Sequence, residues 1–303
     1  HQSTRHENEI MALKVVDEIR DDFALRGRSE LYRVDLKSMA SAHRLHQGIN
    51  LRGHQVWASY EHFQEILAIR NQPADEELWD IVEFFSSHSD PNLFKERHAL
   101  SQSEFRKLVQ PLIRTGHIVQ DFRGGFRSVF VPEGVDRAEL RKEYIRKLVE
   151  KFPVITLRQL TQLAGPSFKP EELKAVLNAF EEDETLIKGF LIEDFHQVCW
   201  GRKELLQEAK SIPSIRDFVL PPSDPIAPYF ADIMKERFGF GSAYLVFRNA
   251  EPVAAFKANT RNKIIDVKDY EGSEKAWRIV KEFAWEHQMP LQTDLRIGGK
   301  KLQ

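Results

Sequence analysis

The sequence predicts an α+β chain: two successive modules, each a set of helices closed by a β-hairpin, followed by a strand-rich unit of half-barrel type. Three observations carry this. Apolar residues at helical spacing recur in the same order over 75–115 and over 137–180. Each of these stretches runs into two β-like segments around a turn, the first at Arg123-Gly124-Gly125. Beyond residue 212 the pattern changes to three strand-like runs and one more helix.

A length of 303 residues suits two to four domains. With 42% hydrophobic and 30% charged residues, the composition is that of an ordinary globular protein, neither disordered nor membrane-spanning. No run reaches the roughly 18 apolar residues of a spanning helix and no leader pattern opens the sequence, so a cytoplasmic, nucleoid-associated location is expected, with no membrane partner. His1 in place of Met suggests a piece of a longer protein. The single cysteine, Cys199, excludes an internal disulfide and a cysteine-rich zinc site; between Val198 and Trp200 it is expected in the core. A net charge of -2 excludes coating of nucleic acid by bulk charge, so local patches must do any such work.

The first segment, 1–72, is read as a helical region. Ile10, Leu13, Val16, Ile19 and Phe23 fall at helical spacing, a short helix is expected over Asp35–His46, and another over Tyr60–Arg70 with Phe63, Ile66 and Leu67 on one face. The stretch His43–His54 is read as a solvated connector, with phosphate or ligand contact as the alternative. His43 and His46 lack a third ligand at recognisable spacing, so no metal site is expected.

The second segment, 73–136, opens at Gln72-Pro73-Ala74-Asp75. Asp75 is placed to cap a helix carrying Leu78, Ile81, Val82 and Phe85, with Glu76 and Glu77 at its positive end. Asn92–His98 forms a short segment. Ser101 with Glu104 makes a capping box for a third helix that buries Phe105, Leu108, Val109 and Leu112. Its other face shows Ser103, Arg106, Lys107, Gln110 and Arg114, residue types that hydrogen-bond phosphates and base edges. Pro111 predicts a kink or an early end. Gly116 stops the helix, and a hairpin follows with Arg123 and Arg127 near its tip. Three helices and a hairpin within about 60 residues is the order of a winged helix. From Lys95 to Arg127 there are seven Lys/Arg (95, 97, 106, 107, 114, 123, 127) against three acids (96, 104, 121), which makes this module the expected DNA-contacting one.

The third segment, 137–211, repeats the order. A helix over 137–152 carries Leu140, Tyr144, Ile145 and Leu148; Thr156 caps the next; Pro170 opens a third that buries Leu173, Val176, Leu177 and Phe180; a hairpin then turns at Glu193-Asp194. Glu181, Glu182, Asp183 and Glu184 would repel a phosphate backbone, so contact here is expected only through Arg158, Gln159 and Lys174.

The fourth segment, 212–303, begins with an extended Phe218–Pro225 lead-in and a helix over 228–238. Strands at 243–247, 253–258 and 263–268, a helix at 273–287 and a strand near 291–297 follow, with basic edges at Arg261, Lys263, Lys300 and Lys301.

Leu220-Pro-Pro-Ser-Asp-Pro-Ile226, Phe238-Gly-Phe240, Tyr244-Leu-Val-Phe247 and Val253-Ala-Ala-Phe-Lys257, coming after two such modules, resemble the C-terminal region of the large helicase-related proteins and the winged-helix DNA glycosylases of the AlkZ/YcaQ type. The resemblance covers about 75–300. It implies duplex or branched DNA as partner, a helicase core elsewhere in the same parent protein, and a role in DNA repair without a cofactor. In those glycosylases base removal depends on a Gln-apolar-Gln or Gln-apolar-Asp triplet early in the chain, and none occurs here: Gln292-Thr293-Asp294 has a polar middle and lies at the wrong end. Asp224 alone maps onto a family position, as an orderer of the turn before the helix more than as an attacking group. The sequence holds no GxxxxGK[ST] loop, HExxH or GxSxG, so any motor lies elsewhere. Three readings follow: a DNA-binding part of a repair helicase, a glycosylase, and a docking scaffold for other proteins.

Overall fold

The computed structural model describes residues 45–191, 197–208, 217–224, 227–249, 251–261, 264–297 and 300–301. The chain divides into two compact units, 1–201 and 202–303. It is a mixed α+β protein with several sheets. The helix expected over 7–23 and residues 35–44 of the one expected over Asp35–His46 lie outside the described residues.

Within the expected connector 43–54, the described residues include a strand. Strand β1 (His46–Ile49) pairs antiparallel with β2 (Gln55–Ala58), matching Gln47 with Trp57 and Gly48 with Val56. His46, the last residue of an expected helix, is therefore extended. Asn50, fully buried, builds the turn between the strands: its Oδ1 accepts the amides of Arg52 (3.1 Å) and His54 (2.9 Å). Gly48 is required by close packing. A Cβ there would sit 2.6 Å from Phe63 Cε1 and 3.0 Å from Val119 Cγ1. Gly48→Ala is accordingly expected to lower stability by about 2 kcal/mol, read as a falling urea midpoint at constant m.

Helix α1 (Tyr60–Arg70) follows, capped by Ser59. Asp75 caps a single 3₁₀ turn, Glu76–Leu78, which runs into α2 (Trp79–Ser87). The short segment expected over 92–98 is α3 (Pro91–Arg97), capped by Asp90. Helix α4 (Gln102–Thr115) starts at the Ser101–Glu104 capping box and continues through Pro111 rather than stopping there. The reason is local: Pro111 and Lys107 are exposed, so water can satisfy the Lys107 carbonyl that loses its amide donor, while the Thr115 hydroxyl donates to the Pro111 carbonyl at 3.0 Å. Gly116 ends α4 at φ 90°.

Strands β3 (Ile118–Gln120) and β4 (Phe126–Ser128) form the expected hairpin, and β3 also pairs with β1, opposing Gln120 to Gln47. The resulting sheet runs β2-β1-β3-β4, so strands from before residue 73 complete the hairpin's sheet. Its core is aromatic: Phe85 and Phe94 of α2 and α3 meet Phe105 of α4 and Phe126 of β4, packed with Ile81, Val82, Val109, Leu112 and Ile118.

The second set of elements comprises α5 (Arg137–Glu150), β5 (Val154–Thr156), α6 (Leu157–Ala164), α7 (Pro170–Glu182), β6 (Leu186–Gly189) and β7 (Cys199–Arg202), with sheet order β5-β7-β6. The expected turn at Glu193-Asp194 lies outside the described residues. Cys199 is fully buried in β7, and burial pushes its thiol pKa up, as for an unreactive core cysteine. Arg141 of α5 ties the two sets together. It forms a bidentate pair with Glu172 of α7 (2.7 and 2.8 Å), donates to the carbonyls of Ile69 (2.9 Å) and Ser167 (2.7 Å), and lies over the Phe168 ring.

In the second unit, α8 (Lys203–Glu208) precedes β8 (Phe218–Leu220), and a 3₁₀ turn (Ala227–Phe230) leads into α9 (Ala231–Phe238). A five-stranded sheet of order β12-β11-β10-β9-β8 is built from β8, β9 (Tyr244–Arg248), β10 (Glu251–Arg261), β11 (Ile264–Gly272) and β12 (Leu291–Thr293). β10 extends past its expected end at 258, and β12 alone is parallel to its neighbour. Helix α10 (Glu274–Glu286) packs on this sheet through Trp277, Val280, Phe283 and Ala284. A two-stranded ladder, β13 (Arg296–Ile297) with β14 (Lys300–Lys301), follows.

Candidate nucleic-acid interface

Helix α4 presents the polar face read from its sequence. At 100° per residue, Ser103, Arg106, Lys107, Gln110 and Arg114 fall within about 100° of arc, opposite Phe105, Val109 and Leu112. Ser103, Arg106, Lys107 and Arg114 are exposed and Gln110 is half-buried. Among the described residues Arg106, Lys107, Arg114 and Arg123 have no acidic partner. That matters because a cation already paired has little left to offer a phosphate. The Ser101 hydroxyl and amide hydrogen-bond Glu104 and hold its carboxyl below the usual carboxylate range, so the one acid of this helix is committed to the cap.

The end of α4 is fixed from below. Arg70 Nη1 donates to the Arg114 carbonyl (3.0 Å), and Nη2 donates to the carbonyls of Ile49 (3.2 Å) and Asn50 (2.6 Å), joining the helix terminus to the β1–β2 turn. His117, buried beside this arginine, accepts or donates at Nδ1 with the Thr115 hydroxyl (2.8 Å). Burial, and secondarily the Arg70 charge, lower its pKa against a raising backbone hydrogen bond at Gln72.

The β3–β4 tip is equally well held. Asp121 Oδ1 accepts the amides of Arg123 and Gly125, each at 2.8 Å, the Gly124 amide returns to the Asp121 carbonyl (3.2 Å), and Gly124 takes the left-handed φ of 86° that this turn needs. The Phe126 amide also donates to the Ser89 carbonyl (2.8 Å), fastening the tip to the α2–α3 connection. Arg123 and its neighbour Phe122 are thus displayed on a rigid turn, both exposed.

Arg127 does not join them. It shares a cross-strand row with Val119 and, through β1, Gly48, whose face packs on α1, and its guanidinium lies 3.8 Å over the Tyr60 ring. The Tyr60 hydroxyl in turn donates to the Ser128 carbonyl (2.8 Å). The opposite face carries the row Trp57, Gln47, Gln120, Phe126. Ile118, two residues from Gln120 and so on that same side, packs against α4. Helix α4 packs against β1 and β3 and α2 against β4, and Trp57, Gln47 and Gln120 stay partly exposed. No sequence signal singled these three out. Their four- and three-residue strands contain glutamine, glycine and histidine, which weakens any β pattern.

In the second set of elements Arg158 and Lys174 are exposed on α6 and α7. Gln159 is committed to a capping box, where its side-chain oxygen accepts the Thr156 amide at 2.8 Å. The cations nearby are largely paired: Arg146 with Glu143 and Glu150, Lys147 with Glu65, and Lys188 with Glu181. The electrostatic contrast between the two sets is thus one of pairing as well as of count.

Asp224 sits in a turn, its amide donating to the Pro221 carbonyl (3.0 Å) and its carbonyl accepting the Ala227 amide (3.0 Å), which fits ordering of the chain before α9. Of the expected basic edges, Lys263 lies outside the described residues; Arg261 is in β10, and Lys300 and Lys301 are in β14. Among the described residues no group of three His, Cys, Asp or Glu is placed to hold a metal ion, and no helix is long and apolar enough to cross a membrane. Two open grooves occur in the first unit. One, of about 430 Å³, is bordered by Phe84, His88, Phe94 and His98, and the other, of about 330 Å³, by Trp79, His117, Phe130 and Arg137.

No protein-family model matches the sequence, and no curated protein matches it. Among solved structures, the chain is similar to the DNA glycosylase AlkZ of Streptomyces sahachiroi, at 11% identity and a TM-score of 0.63, over 93% of this chain and 92% of that one. The fold is therefore AlkZ-like. The likeness lends no support to the expected link with a helicase core.

Proposed function

We propose that this chain is a DNA-repair protein of the glycosylase kind, one that binds DNA and hydrolyses the N-glycosyl bond of an altered base. The observation that carries the reading is the AlkZ-like fold over more than nine-tenths of both chains. In this reading α2, α3, α4 and the β3–β4 hairpin form a winged helix, α4 lies along a groove of the duplex, and Arg123 holds the backbone from the wing. The unpaired cations of α4 support that placement, and the paired cations of α5 support a lesser role in DNA contact for the second module. Asp224, the one residue that the family resemblance supplies for chemistry, sits in a turn, which favours ordering over chemistry.

Two measurements test this in sequence. Anisotropy titrations with duplex, forked and single-stranded DNA should show binding that falls steeply with salt. Incubation with uracil- or alkyl-containing oligonucleotides followed by alkali should then cut at the modified position. Binding without alkali-sensitive cleavage leaves a DNA-binding repair factor and removes the glycosylase. No binding to any of the three DNAs leaves the docking scaffold.

A further inference from the structure

We infer that Phe122, backed by Trp57 and flanked by the Gln47 and Gln120 amides, is a stacking site for one unpaired nucleobase of a DNA strand held by α4. The inference rests on the DNA-binding reading above and adds to it a ligand class and a position.

Phe122 is a large apolar side chain left mostly outside the core. Phe122 is 46% exposed, yet it stands second in a turn fixed by Asp121, Gly124 and Ser89, so the ring is presented rather than loose. Its centroid lies 6.1 Å from that of Trp57 at an interplanar angle of 49°. The two rings lean together without stacking, which braces Phe122 and leaves its outer face open. A flat apolar surface of this kind suits any base, because every base has a π-face.

The polar surroundings narrow the partner further. Gln47 and Gln120 are directly opposed across β1 and β3 on the same face as Trp57, and the Gln120 amide nitrogen lies 3.8 Å from where a Cβ at Gly124 would sit, so it reaches toward the tip. Among the described residues neither amide has a hydrogen-bond partner. Each carries both a donor and an acceptor, the pairing that an exposed base edge offers. A lipid or an apolar peptide would leave these groups unsatisfied. Charge agrees: Arg123 adjoins the ring, α4 covers the same sheet face with Arg106 and Lys107 unpaired, and the Asp121 carboxylate is turned into the hairpin. Aromatic side chains at a hairpin tip beside a cationic helix fit a strand in which one base has left the stack.

The test uses the full chain and three labelled DNAs at one salt concentration: a paired duplex, the same duplex with a single unpaired base, and a single strand. Phe122→Ala is expected to weaken binding to the last two by about tenfold and to the paired duplex by less than about twofold, with Phe122→Trp restoring both. A 2-aminopurine at the unpaired position should be quenched by the native chain and by Phe122→Trp, but not by Phe122→Ala. Gln120→Leu serves as an independent variant and should reduce selectivity among unpaired bases while keeping the quenching. Equal binding of the native chain and Phe122→Ala to the unpaired-base DNA overturns the inference, and so does an equal loss on all three DNAs. In either case DNA binding itself stands. A native chain that binds none of the three removes the DNA reading and the stacking site together.

Discussion

Reversing Arg106 and Lys107 together to glutamate is expected to weaken duplex binding roughly a hundredfold at low salt and to flatten the dependence of log K on log salt by about two. Both side chains are exposed on α4 and have no acidic partner among the described residues, so the change removes two cations and adds two anions without breaking a native contact. Stability should move by less than about 0.5 kcal/mol, since substitutions at such surface sites leave the core untouched. That separation of effects makes the experiment decisive. Lys174→Glu on α7 is the matched control, exposed like Arg106 but on a helix that ends in Glu181 and Glu182, and it should cost less than about threefold. Equal losses from the two modules would show that charge alone, and not α4, governs binding. No loss from the double reversal would place DNA elsewhere or nowhere and favour the docking scaffold.

How far the sequence revealed this surface depends on what each element had to declare. Helix α4 was legible because its cap, its apolar stripe and its polar face all lie within fourteen residues. The β3–β4 hairpin was legible for the same local reason, through Gly124 and Gly125. The completion of its sheet was not. Strands β1 and β2 are four residues each, β1 carries His46, Gln47 and Gly48, and β1 pairs with β3 across some 70 residues of chain, so the β structure here comes from Phe63, Val119 and the buried Asn50 rather than from local propensity. The juxtaposition of Trp57, Gln47 and Gln120 is hidden along with them, since Trp57 and Gln47 join Gln120 only when that long-range pairing forms. Arg127 shows the converse case. Position near the hairpin tip suggested partnership with Arg123, but the alternation of a strand sends it to the other face, over Tyr60. Pro111 misled for a third reason, because the cost of proline in a helix depends on whether the orphaned carbonyl can reach water.

Arg141→Ala is expected to lower stability by about 3 kcal/mol, a larger loss than for any exposed cation of α4, seen in the urea midpoint at neutral pH. The Arg141 side chain is only 22% exposed and its removal leaves three kinds of partner behind: the Glu172 carboxylate, the Ile69 and Ser167 carbonyls and the Phe168 ring. Arg141→Lys should recover little, because an ammonium cannot form the bidentate pair and reach two carbonyls at once. The pH dependence identifies the mechanism. The Arg141 hydrogen bonds, more than its bare charge, hold the Glu172 pKa below the ordinary glutamate value. A depressed carboxylate contributes stability that is fully present above its unfolded pKa and is lost as pH falls through the folded one. His117 acts in the same direction, since burial lowers its pKa and the unfolded chain binds the proton more readily as pH drops. Acid titration of the native chain should therefore show stability falling first as the histidine range is crossed and again below the ordinary glutamate range. Glu172→Gln should shrink the second fall, which Glu104, Glu143 and Asp183 share through their own lowered pKa values, and leave the first. If Glu172→Gln and the native chain lose stability in parallel through both ranges, the Arg141 cluster is not what joins α5 to α1 and α7, and the packing of Tyr144 on Phe168 must carry that junction instead.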